Sequence, residues 1–139
     1  MPPLTRWFIK LSLLYLVGAL VIGVLLVART VLTLPDAITF LGPVYFHLFL
    51  VGWVKQLIVG VAYWMFPKYS RDRPRASEAL AWVTLILLNV GLLTRAVSEP
   101  LQALRPDSGW GWALAVSAVL QWLAGMAFVA NTWVRVKER

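Results

Sequence analysis

The chain has no cysteine, a single histidine, and only six Asp or Glu among its 139 residues. Without thiols there are no disulfides, thiolate metal sites, iron–sulfur clusters or cysteine nucleophiles. With one imidazole, at His47, no site that needs two histidines can form within one chain. Charge is also sparse, at 14% of residues, against about 25% in a soluble domain. Apolar residues take up the difference: they make up 60% of the chain, and its mean hydropathy is +0.76. These values describe an integral membrane protein, and 139 residues leave room for one domain. The net charge of +7 looks like a nucleic-acid signal until its location is considered. The basic residues lie in loops and tails beside apolar runs, where they set topology and meet anionic headgroups. No nucleic-acid partner is expected; the lipid bilayer is.

A window of about 20 apolar residues finds four spans, near 7–32, 39–66, 80–104 and 112–134. The first is expected to stay attached, because its apolar run is too long for a cleaved leader and lacks a small-residue cleavage pattern. Arg6 and Lys10 stand at the start, Lys68, Arg71, Arg73 and Arg75 in the second connection, and Arg135, Lys137 and Arg139 at the end. The first connection carries no Lys or Arg, and the third only Arg105. The four spans predict an all-α four-helix membrane bundle, and that alternation puts both termini and the 67–79 loop in the cytoplasm; the expected location is the plasma membrane of a prokaryote. Turn chemistry marks the joints: Leu34-Pro35-Asp36, Pro43 early in the second helix, Pro67 closing it, Ser77 as an N-cap and Pro106-Asp107-Ser108-Gly109.

The chain is organised around PVYFHLFLVGWVKQLIVGVAYWMFP, from Pro43 to Pro67, which holds His47. A polar group at membrane depth faces a partner, a cavity or a cofactor, and imidazole is a common ligand of metals and of haem iron. The competing reading is a histidine that only packs against a neighbouring helix. Lys55, near the middle of the span, is a second functional candidate by its depth, either paired with Gln56, Gln121 or Asn89 or facing a partner subunit. Gly52, Gln56 and Gly60, four apart, suit a close helix–helix seam.

His47, Trp53, Gly60, Tyr63 and Pro67 at this spacing resemble the second transmembrane helix of subunit I in the haem–copper oxidase and nitric oxide reductase superfamily. The matching run is Gly60-Val61-Ala62-Tyr63-Trp64-Met65-Phe66-Pro67, and the likeness covers about 25 residues well. It implies that His47 is an axial ligand of a b-type haem. One histidine cannot supply a haem–copper centre, so oxygen or nitric oxide reduction by the chain alone is not implied, and no catalytic residue is expected. Arg95 and Arg29 lie in the same half of the membrane as His47 and are candidate partners for haem propionates; Arg95 has an alternative partner in Glu99 at i+4. Met65 and Met126 do not match the depth of His47, so a six-coordinate haem must take its second axial ligand from outside this chain, the competing outcome being one five-coordinate haem per chain with an open face. The simplest source of that ligand is a homodimer sharing one haem between two copies of His47. The expectation is a small membrane cytochrome b serving electron transfer or the sensing of oxygen or nitric oxide, with a quinone or cytochrome as redox partner. The alternatives are a non-haem accessory or assembly subunit of a respiratory complex, and a quinone-binding protein using Lys55, Gln56 and Arg95.

Overall fold

Two prolines open the first helix: Pro3 needs no partner for its missing N–H in the first turn. The structure, a computed structural model, describes residues 1–72 and 74–136. Arg73, Lys137 and Arg139, counted above among the topology-setting cations, lie outside the described residues. Helix α1 (Pro3–Ala28) begins four residues before the expected span. Leu4 and Phe8 explain the early start, since both are buried in one cluster with Val59, Tyr63, Ala81 and Leu85.

Helix α2 (Asp36–Met65) follows the Leu34-Pro35 break. It enters through a 3-10 turn (Asp36–Leu41), becomes α-helical over Gly42–His47, widens to a π-helix over Leu48–Lys55 and closes as α-helix over Gln56–Met65. Phe66 is extended at φ −62°, ψ 149°, the conformation that a following proline imposes. Helix α3 (Glu78–Leu104) is capped by Ser77, whose Oγ accepts from the Leu80 N–H at 3.2 Å. A left-handed Gly109 (φ +76°) leads into α4 (Trp110–Trp133). Among the described residues all regular structure is helical, and four helices are long and apolar enough to cross a membrane.

The π stretch has a geometric consequence. Leu48, Gly52, Gln56 and Gly60 are all buried, yet a four-residue repeat drifts around an α-helix of about 3.6 residues per turn. The wider π turn, with bonds from i to i+5, reduces that drift and holds these positions on one side. The Gln56 N–H accordingly bonds to the Val51 carbonyl. The seam is tight: a Cβ on Gly52 would lie 2.7 Å from Tyr15 Cγ, and one on Gly60 would lie 2.6 Å from Phe8 Cβ. By the same repeat His47, Val51 and Lys55 share the adjacent line.

Polar contacts tie the remaining helices together. Tyr15 donates to Asn89 Oδ1 at 2.7 Å, and Ser117 Oγ donates to the Gly91 carbonyl at 2.8 Å. The cluster around Tyr63 gathers the start of α1, the end of α2 and the start of α3, so the described N-terminus and the end of α4 lie at one end of the bundle. Inside the span windows only 11–33% of residues are buried. The sides of the bundle are covered with exposed Leu, Val, Ile and Trp, such as Leu14, Val17, Val24, Ile86 and Trp122.

Candidate functional site

The site is assembled at the end away from the termini. Pro43 sits in the first turn of the α-helical part of α2, and its carbonyl receives the Nδ1 of His47 at 2.8 Å. The Glu99 carboxylate of α3 approaches the same nitrogen, with Oε2 at 3.4 Å. The Pro43 carbonyl makes Nδ1 the protonated nitrogen of a neutral ring and leaves the lone pair on Nε2, while Glu99 Oε2 approaches without a hydrogen bond. Nε2 has no partner among the described residues, and the side chain is about one-quarter exposed, at 26%.

Glu99 is the hub. Its Oε1 accepts from Arg95 Nε at 2.9 Å, one turn back on α3, and its carboxylate is 11% exposed. Oε2 is buried and has no hydrogen bond, only the longer approach to His47. Arg95 is thus tied through Nε, while the two terminal nitrogens of its guanidinium make no hydrogen bond among the described residues. Arg29 caps the C-terminus of α1 and makes no side-chain hydrogen bond or ion pair among the described residues. The structure therefore joins His47 to Arg95 through Glu99 and leaves Arg29 apart.

No protein-family model matches the chain, and neither does any curated protein or solved structure. The chemistry is read from these side chains alone.

Among the described residues no three His, Cys, Asp or Glu side chains gather to hold a metal ion. A lone imidazole is a poor cage for a bare ion. It suits an iron whose equatorial ligands come with it, as in haem. The donor set fits that group on one face: a free Nε2, an Nδ1–H held by a backbone carbonyl as in metal-ligating histidines, and an unspent part of Arg95. Met126 is half-exposed on α4, and Met65 is at the opposite end of α2.

Two polar residues in the middle of α2 meet different surroundings, Lys55 exposed and Gln56 buried in the seam. Lys55 has no partner in Gln56, Gln121 or Asn89; its side chain is exposed and carries no ion pair or hydrogen bond among the described residues. Gln56 is fully buried, and neither its Oε1 nor its Nε2 has a hydrogen-bond partner. A third residue was counted only as a charge. Arg135 is 1% exposed and donates to the carbonyls of Tyr63 at 2.9 Å, Phe66 at 2.7 Å and Pro67 at 3.1 Å. It stands 5.5 Å from the Tyr63 ring centroid. Burial, and secondarily Arg75, lowers its pKa from the usual arginine range. The available signal was Pro67: a helix stopped by proline leaves carbonyls that need donors, and a cation is suited to them.

Proposed function

We propose that this chain is a small membrane-embedded b-type haem protein in which Nε2 of His47 is an axial ligand. The observation that supports it most directly is the bond between Nδ1 and the Pro43 carbonyl, which in the neutral ring leaves Nε2 free to bind. His47 would hold the iron, Glu99 would strengthen and orient the imidazole, and the free part of Arg95 would meet a propionate. Bound haem supplies one-electron transfer, or a binding position for a diatomic gas if its second axial site stays open. In this reading the chain lies in a prokaryotic plasma membrane with both termini cytoplasmic, and its redox partner is a quinone or a cytochrome. The relation to haem–copper oxidases rests on the Pro43–Pro67 stretch of sequence alone.

The decisive experiment is an absorption spectrum of the purified protein. A Soret band that disappears in His47→Ala supports the reading; its absence from wild-type protein reconstituted with haem rejects it. Orientation is tested separately, by labelling an introduced Ser70→Cys: reaction from the outside alone contradicts cytoplasmic termini. One observation favours the second reading, a non-haem accessory subunit. The Arg95–Glu99–His47 chain also works as a plain staple between α2 and α3, and a protein without a Soret band would be that.

A further inference from the structure

Lys55 stands on the outside of α2, flanked along the helix by exposed Leu50 and Ile58. It is 13 residues from Gly42 and 11 from Phe66, the middle of the apolar stretch. A lysine at that depth is rare and paired, and its stem is too short to carry the ammonium across roughly 15 Å of hydrocarbon to either interface. Nothing among the described residues pairs with it. The carboxylates all lie toward the ends: Asp36, Glu99 and Asp107 at the His47 end, Asp72 and Glu78 at the end of the termini, and Glu138 outside the described residues. Glu99, level with His47, is about 12 Å away along the axis at 1.5 Å per residue.

We infer that the Lys55 face of α2 is a docking surface for a transmembrane helix of a different polypeptide that carries an Asp or Glu at mid-membrane depth. A second copy of this chain is a poor occupant. In a parallel dimer the two-fold axis brings Lys55 to Lys55; an antiparallel dimer does the same, because the residue is at the midplane. Either arrangement sets two ammonium groups together with no carboxylate at that depth. Since His47, Val51 and Lys55 share one line, this weighs against the homodimer expected from the sequence, in which α2 would face α2. The inference stands whether or not haem is bound. Charge complementarity at low dielectric would make the pairing selective, because a neutral helix leaves the ammonium unpaired.

The test is site-specific photo-crosslinking in membranes of the native host, with a benzophenone amino acid replacing Leu50 or Ile58. The expected adduct is to a transmembrane segment of another protein, within one helical turn of an Asp or Glu. It should fall about tenfold in Lys55→Glu and return when the partner's carboxylate is changed to Lys. Adducts to a second copy, to lipid only, or to a helix without that carboxylate would overturn the inference, as would an adduct unchanged in Lys55→Glu. Purified Lys55→Met provides an independent check. With no partner among the described residues, it should melt at the wild-type temperature in detergent; a marked loss would mean that the lysine serves its own fold.

Discussion

At the end that carries the chain termini, Leu4, Phe8, Val59, Tyr63, Ala81 and Leu85 close into a buried cluster, and Arg135 is folded over the last carbonyls of α2. At the other end α2 begins as a 3-10 turn with no buried residue, and His47 and Arg95 each remain about one-quarter exposed at 26% and 27%. At the first end Arg135 meets the carbonyls of Tyr63, Phe66 and Pro67, while the buried hydroxyls of Thr5 and Tyr63 make no hydrogen bond among the described residues. The second leaves an imidazole nitrogen and the two terminal nitrogens of a guanidinium without a hydrogen bond among the described residues. The difference separates what holds the bundle together from what it offers to a ligand.

Substitutions should reproduce that division, starting with the largest effect. Replacing Arg135 by Leu removes three charge-assisted hydrogen bonds and should cost about 3 kcal/mol of stability in detergent unfolding. Loss of less than about 1 kcal/mol would show that the two ends do not differ in this way. Gly60→Ala places a Cβ 2.6 Å from Phe8 Cβ, and overpacking should cost about 2 kcal/mol. Gly125→Ala, with nothing within 4 Å of the new atom, should be neutral or gain up to about 1 kcal/mol of helix propensity.

At the open end, Glu99→Gln breaks the pair with Arg95 for no more than about 1 kcal/mol. If haem binds, its retention should drop about tenfold, as for other groups that orient a metal-ligating histidine. His47→Ala should have the smallest effect on the melt, within about 1 kcal/mol, and the largest on a Soret band. A large destabilisation by His47→Ala would place the imidazole among the residues that hold the bundle together.

Much of the frame was legible in the sequence because it depends on local chemistry. Four apolar runs, Pro35, Pro67, the Ser77 cap and Gly109 located the helices to within a few residues. The start of α1 was placed late because Thr5, Arg6 and Lys10 look like a polar lead-in, whereas burial of Leu4 and Phe8 extends the helix to Pro3. The candidate site was legible only in part. Arg95 with Glu99 is a one-turn pair and could be written down from spacing. The approach of Glu99 to His47 joins residues on different helices, 52 positions apart in sequence, and no local pattern encodes it. Arg135 reads as topology-setting charge until the geometry shows its side chain turned inward.

The widened stretch Leu48–Lys55 gives α2 a surplus of about one residue over an ordinary helical ladder, and so sets the phase between its two halves. Deleting one residue there would rotate everything before it by about 100° relative to everything after it. The Gly60–Phe8 seam could stay in place while His47 turned away from Glu99. The lower half of the helix belongs to the bundle and the upper half to the site. A single insertion or deletion between them would act as a switch of aim, altering which side the imidazole faces without changing any residue that touches it.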